Sequence, residues 1–368
     1  MPLVSVIILN WNGAHLLRRY LPTVVAHTAA DVADIVVADN GSTDESLALL
    51  AAEFPTVRVL ALGQNYGFAE GYNRAIAQVA TPYVVLLNDD VAVTPGWLGP
   101  MVEYLERHAD VAACQPKLLS DRAPGHFEYA GAAGGYLDRY GYPYCRGRIF
   151  GTVEADRGQY DTVRPVMWAT GACLMVRTEL YRRAGGLDAR FFAHMEEIDL
   201  CWRLRRMGCA LVCVPASAVR HLGGASLAVG HPHKTMLNFR NSLLMLWKNT
   251  PDPRRRTALL RRREWLDALA ALNFLLHGQL RHVAAIRRAH REAAHMLRDE
   301  YAPEAALHHA SPLFTADAAA SSADAPTSSS TDPATGSANA SRFAEADISI
   351  LWQYYVRGRR TFAALPLA

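Results

Sequence analysis

The stretch Tyr83-Val84-Val85-Leu86-Leu87-Asn88-Asp89-Asp90 decides the fold. Its first five residues form an unbroken apolar run, the pattern of a strand covered on both faces by helices. Such an interior has no use for adjacent polar and charged groups. Asn88, Asp89 and Asp90 should therefore emerge at the strand's carboxyl end, where open α/β sheets bind their ligands. Hard carboxylate oxygens at that place suit Mg2+ or Mn2+ carrying a diphosphate.

Upstream of this strand, β and α patterns alternate. Strands are expected over Val4–Leu9, Asp34–Ala38 and Val57–Ala61, and helices over Ala14–Thr28, Asp44–Glu53 and Gly71–Ala80. This is the βαβ rhythm of a doubly wound sheet whose first half binds a nucleotide. Downstream, Gly125 to Pro165 is rich in Gly, Tyr, Arg and Pro and reads as a long irregular excursion. A strand over Val166–Arg177, a helix over Glu196–Met207 and a strand over Ala210–Pro215 follow. The expected organisation is a catalytic α/β domain over residues 1–226, a basic helical region over 227–310, a disordered Ala/Ser/Thr/Pro linker over 311–341 and an aromatic and basic tail over 342–368.

With 51% hydrophobic and 20% charged residues the chain can bury a large core. The net charge of +3 hides an asymmetry, because Arg240 to Arg298 holds thirteen basic against four acidic side chains. A segment so basic beside an acidic remainder points to an anionic surface, and a bilayer is favoured over nucleic acid. Leu269, Leu272, Leu276, Leu280 and Val283 recur at helical spacing with arginines nearby, as in an amphipathic helix lying in a membrane interface; packing of that stripe on the domain is the competing reading. No apolar run is long enough to span a bilayer. The six cysteines do not resemble a disulfide framework and are expected as thiols. Met1-Pro2 runs straight into a strand pattern with no cleavable leader, so a cytoplasmic protein, peripheral on the inner face of the membrane, is expected.

Five segments carry chemistry. Asp39-Asn40-Gly41-Ser42-Thr43-Asp44 follows the second strand and places Asp39 where it can accept from a nucleobase or ribose, although such a sequence also makes ordinary turns and caps. Gln64 to Asn73 follows the third strand; Gly67 and its neighbouring glycines let backbone approach a ligand, and Asn65 and Asn73 offer amides. In the acid triplet Asp90 is expected to be the metal ligand and Asn88 to hold a ligating water, phosphate or ribose, while Asp89 points to the other face. Phe191 to Leu204 sets Glu196 and Glu197 at a helix start, where one carboxylate can take a proton from an acceptor hydroxyl. His221 follows a further strand and can complete a metal site through an imidazole nitrogen.

Taken in order, Ile8 to Gly13, Asp39 to Asp44, Asn65 to Ala69, Asn88 to Asp90, Thr170-Gly171-Ala172 and Glu196 to Leu200 resemble the inverting family 2 glycosyltransferases of the GT-A fold, in particular the bacterial branch with rhamnosyltransferases and galactofuranosyltransferases. The resemblance runs from Val4 to about Ser226. It implies a doubly wound mixed sheet flanked by helices with a C-terminal helical appendage, a nucleoside-diphosphate sugar donor and a glycan or lipid-linked acceptor. It further implies Asp39 as the base-recognising acid, Asn65, Gly67, Asn73, Asn88 and Asp89 around the donor, Asp90 and His221 on Mg2+ or Mn2+, and Glu197 as general base, with Glu196 as the alternative. Trp168 and Gly171, with the Gly125 to Pro165 excursion, are expected to shape the acceptor pocket. Two residues depart from the family pattern: Asn88 replaces an aspartate, and Glu197 replaces the aspartate that serves as base. A catalytically inert nucleotide-sugar binder is the rival from another class. A nucleotidyltransferase is a second rival, but it needs a basic Gly-rich loop where this chain has Asn10-Trp11-Asn12-Gly13-Ala14-His15.

Overall fold

The computed structural model describes residues 2–224, 230–302 and 347–366, and the expected linker over 311–341 lies outside them. The chain divides into two compact units, Met1–His231 with Phe343–Ala368, and Pro232–Arg342. In chain order the first unit runs β1 (Val4–Asn10), α1 (Ala14–His27), β2 (Ala33–Asp39), α2 (Ser46–Glu53), β3 (Arg58–Ala61), α3 (Gly67–Ile76), β4 (Tyr83–Asn88), β5 (Val91–Val93), α4 (Gly99–Arg107) and β6 (Val111–Ser120). It continues through β7 (Gly135–Leu137), β8 (Pro143–Cys145), β9 (Arg148–Ile149), β10 (Thr152–Val153), β11 (Arg164–Pro165), β12 (Cys173–Arg177), α5 (Thr178–Arg183), α6 (Glu196–Arg206) and β13 (Ala210–His221).

The main sheet has the order β11-β13-β6-β12-β4-β1-β2-β3, with β5 added against β13. β1 pairs in parallel with β2 and β4, and β2 with β3, which is the doubly wound half. β12 enters antiparallel between β4 and β6, making the sheet mixed. Val84 to Leu87 of β4 are fully buried, as an apolar run without alternation requires. The strand ends where the polar triplet begins, so the same residues that set the strand's burial also set the position of the acids.

Three of the boundaries that differ from the sequence reading bear on the site. Helix α3 begins at Gly67 rather than Gly71: Gly67 takes φ +76°, and the Phe192 carbonyl accepts from the amides of Phe68 (2.8 Å) and Ala69 (3.3 Å), groups that a first helical turn leaves without internal partners. β13 continues past Pro215 to His221 because a register shift between Val214 and Ala218 takes the proline out of the ladder it cannot donate to. The expected strand over Val166–Arg177 is a strand only from Cys173, since Val166 to Trp168 bond to Leu211 and Gly135 and the Cys173 amide turns back to the Thr170 carbonyl.

Part of the irregular excursion forms a second, antiparallel sheet, β10-β9-β8-β7. The closing segment packs on it: Ile350 donates its amide to Asp138 (2.9 Å), Tyr354 and Thr152 share a hydrogen bond (2.7 Å), and Ile350 and Leu365 join Tyr144 and Ile149 in a small core. The second unit contains α7 (Pro232–Asn249), α8 (Pro253–Leu276) and α9 (Leu280–Met296). The stripe read as one helix from Leu269 to Val283 is broken between Leu276 and Leu280, where Gly278 adopts φ +70° and stops α8.

Candidate active site

The β5–β13 ladder builds the first cluster. It pairs Val91 with His221, so the residue before Val91, Asp90, lies beside the imidazole. Asp90 Oδ1 is 3.0 Å from His221 Nε2, and Asp90 Oδ2 accepts from the Gly223 amide at 3.2 Å. The Asn88 amide nitrogen lies 3.4 Å from the same Nε2. On its other side, His221 Nδ1 is 3.2 Å from Glu128 Oε2. Asp90, Glu128 and His221 are all buried. Burial by itself pulls the imidazole's pKa down, but the hydrogen bonds and charges of Asp90 and Glu128 outweigh it and push the value up to about 10.

Glu128 was missed by the sequence reading. It sits in the irregular excursion with no motif around it; the only signal was one acid in an apolar and aromatic stretch.

Asp89 turns away from this cluster. Its Oδ2 and Asn10 Oδ1 lie over Gly13, where a Cβ would meet them at 2.6 and 2.5 Å, so glycine is required there for the close approach. Burial first, and the Asp90 charge second, push Asp89 up to about 8.

The chemistry of the first cluster fits a divalent ion. One carboxylate and one imidazole nitrogen converge, and a second carboxylate lies 3.2 Å from Nδ1, the place it takes in carboxylate–histidine–metal arrangements. Among the described residues no group of three or more His, Cys, Asp or Glu is disposed to hold an ion by itself. Two protein ligands leave the remaining positions for phosphate and water, the usual division for ions that carry substrate phosphates.

The second cluster forms at the start of α6. β12 pairs Cys173 with Leu87, and the Ala172 carbonyl accepts from the Asn88 amide (3.0 Å), which sets the turn at Gly171 beside the end of β4. A Cβ on Gly171 would lie 3.5 Å from Glu197 Cβ and 3.3 Å from Phe68, so this turn is in van der Waals contact with both. Burial raises the pKa of Glu197, opposed by backbone amides, its own and those of Ile198, Gly171 and Met195. Glu196 is more deeply buried, and burial followed by the Glu197 charge drives it well above the carboxylate range. Each keeps one buried oxygen, Oε2, without a hydrogen bond. The approach to these acids is strained: Phe192, His194 and Met195 have φ of 64°, 72° and 72°, and the Phe192 ring packs over Gly67 at a distance no Cβ could tolerate. Asp199 forms the helical ion pair with Arg203 at 2.9 Å that its spacing indicates.

The third group surrounds the ends of β1, β2 and β3. Asp39 is buried and accepts from Asn10 Nδ2 and the Ser42 amide, both at 3.1 Å. Asn65 Oδ1 accepts from Gly67 N (2.8 Å) and Asn40 Nδ2 (3.2 Å), folding the loop back on β2.

Two expected residues are not brought into any cluster. Asn73 donates to the Leu187 carbonyl (2.7 Å) and accepts from Tyr181 Oη (2.6 Å) and Leu187 N (2.9 Å), so its amide clamps α3 to the segment after α5 instead of facing a donor. Trp168 is buried against Gly135 and donates its indole N–H to the Tyr136 carbonyl (3.0 Å); it supports the wall of the domain and offers no acceptor surface.

A mixed sheet of this order, with acids at the carboxyl ends of β2 and β4 and an acid pair opening α6, is the architecture of a GT-A transferase. A solved structure of GalNAc-T7 with UDP, GalNAc and Mn2+ shares the fold at a TM-score of 0.52 and 16% identity, over 67% of this chain and 48% of that one. The family model described as glycosyl transferase family 2 matches residues 5–156. An N-acetylglucosaminyl-diphospho-decaprenol L-rhamnosyltransferase of Mycobacterium tuberculosis is 31% identical over 227 residues, covering 57% of this chain and 72% of that protein. Rhamnosyltransferase WbbL of Escherichia coli is 29% identical over 168 residues, covering 43% of this chain and 62% of that protein. The chain belongs to glycosyltransferase family 2.

Proposed function

We propose that the protein is an inverting glycosyltransferase that moves a sugar, with L-rhamnose the leading candidate, from a nucleoside diphosphate to a hydroxyl of a glycan or lipid-linked acceptor in cell-surface polysaccharide synthesis. The observation that carries this reading is the convergence of two unlike acid groups at the carboxyl edge of β4: the Asp90–His221 pair, and Glu197 across the Gly171 turn. The rhamnosyltransferase relatives support the sugar, and the decaprenol-linked substrate in one relative's name supports a lipid-linked acceptor.

Asp39, fixed by Asn10 and Ser42, keeps lone pairs to accept from the nucleobase. Gly67 admits the Phe192 ring against the start of α3, and Asn65 holds that loop beside the donor. Asp90 and His221 would hold Mg2+ or Mn2+, with Asn88 beside them. Such an ion, when bound, supplies positive charge against the β-phosphate as the leaving group gains negative charge.

Glu197 takes the acceptor's hydroxyl proton. The acceptor oxygen bonds to the anomeric carbon as the bond from that carbon to the phosphate oxygen breaks, and the nucleoside diphosphate leaves with the electron pair. Attack from the face opposite the leaving group inverts the anomeric centre. A carboxylate with a raised pKa is the stronger base, and the raised value of Glu197 suits that task. Glu196 is less suited because it is almost wholly enclosed.

A screen of nucleoside diphosphates and sugar nucleotides by thermal shift with Mn2+, followed by NMR of the product anomer, tests the reading. A stabilising dTDP-sugar and an inverted product are expected. Donor binding without transfer to any acceptor would favour the inert binder.

A further inference from the structure

Helix α8 is inverted. The side chains it buries are Leu259, Arg263 and Asp267, whereas Trp265, Leu269, Leu272 and Leu276 face outward. Arg263 is 2% and Asp267 0% exposed, against 76% for both Trp265 and Leu276. The inward polar groups are paired within the helical unit. Asp267 lies 3.6 Å from Arg263 and 3.0 Å from His290 of α9, and Arg263 donates to Ser242 of α7 at 2.9 Å. Positions 265, 269, 272 and 276 fall on one helical stripe, and Leu280, at the start of α9 beyond the break at Gly278, is exposed as well. Large apolar side chains aligned outward while charged ones turn inward mark a surface that something else covers.

The surrounding charge indicates what covers it. Arg261 and Arg262 are exposed just before the stripe, and Arg281 and Arg287 just after it, while Arg288 is paired with Glu292 at 2.6 Å. Asp267 is withdrawn to the inside, and the exposed Glu264 beside Trp265 is outnumbered by Arg261 and Arg262, so the outward side keeps a positive excess. A second copy seated on the same face would set arginines against arginines. Phospholipid phosphates bring the opposite charge, while the leucines and the tryptophan enter the boundary between head groups and acyl chains and the long arginines reach back to the phosphates.

We propose that the outward face of α8, with Leu280, docks on an anionic lipid surface with the helix lying in the interface plane. No helix of the described residues is long and apolar enough to cross a membrane, so the contact is superficial. The proposal agrees with a lipid-linked acceptor but does not depend on transferase activity, because lipid binding is read without turnover.

Flotation of the full chain with vesicles of phosphatidylcholine, and of phosphatidylcholine and phosphatidylglycerol in a two-to-one ratio, tests it. The protein should float with the anionic vesicles only, and added salt should weaken the association. The combined variant Trp265→Ser, Leu269→Ser, Leu272→Ser and Leu276→Ser should bind about tenfold less or weaker still, with its melting midpoint and its transfer to a soluble acceptor unchanged. Arg261→Gln with Arg262→Gln should lose roughly tenfold and show a shallower salt dependence. Three outcomes would overturn the proposal: no flotation with either vesicle, a dimer that the serine variant abolishes, or a lowered melting midpoint in that variant, which would mean that the stripe packs internally.

Discussion

Strand β4 and helix α8 solve opposite problems with the same materials. β4 buries Val84 to Leu87 completely and releases its polar residues only at its end, so charge appears where a ligand can meet it. α8 keeps Arg263 and Asp267 inside, pairs them across to α7 and α9, and leaves its large apolar residues outside. A buried charge is tolerated only when paired and hydrogen-bonded, and exposed apolar surface persists only when it is used. The sheet therefore presents chemistry and the helix presents adhesion.

Breaking the inward pairing of α8 gives the largest expected stability effect. Asp267→Ala leaves Arg263 and His290 without their shared carboxylate, and a loss of about 3–5 kcal/mol is expected from the helical unit by chemical denaturation. A loss below about 1 kcal/mol would mean that the charges are not held as described. On the sheet side, Glu128→Gln keeps the volume but removes the charge that orients His221. Mn2+ titration followed by electron paramagnetic resonance should show affinity weaker by about 10- to 100-fold; unchanged affinity would remove Glu128 from the site.

A smaller effect concerns Glu196. Its folded pKa lies above the ordinary 4.5, so the protonated form favours the fold, and that stability is present at low pH and lost as pH rises through the folded value. Wild-type melting should fall as pH is raised above about 5, and Glu196→Gln should flatten this slope and melt higher near neutral pH, by an amount on the order of a few degrees. Leu272→Ser, on the outward stripe, should change unfolding free energy by no more than about 0.5 kcal/mol. A larger loss would erase the contrast between the two elements.

Much of the catalytic unit was legible because burial and chain direction are written locally. An unbroken apolar run gave β4, and its polar end gave Asn88 to Asp90. His221 was joined to Asp90 only through the family resemblance; local pattern could not join them, because the ladder between them is the three-residue β5, too short to read as a strand. Glu128 depends on a contact between distant parts of the chain that no local pattern encodes. The intramolecular bonds of Asn73 and Trp168 were hidden for a related reason: an amide or an indole looks the same in sequence whether it faces a ligand or holds two elements together. In α8, periodicity correctly grouped Leu269, Leu272 and Leu276. The direction of that face depends on Ser242, Arg263, Asp267 and His290 pairing between helices, which spacing alone does not reveal.

The division of labour between the two acid clusters is tested most directly by measuring donor binding and turnover in Asp90→Ala and Glu197→Gln. Asp90→Ala should lose Mn2+-dependent donor binding and transfer together. Glu197→Gln should bind donor and Mn2+ as the wild type does while transfer falls by about 10²- to 10⁴-fold. Wild-type turnover in Glu197→Gln, or intact metal-dependent donor binding in Asp90→Ala, would contradict the account.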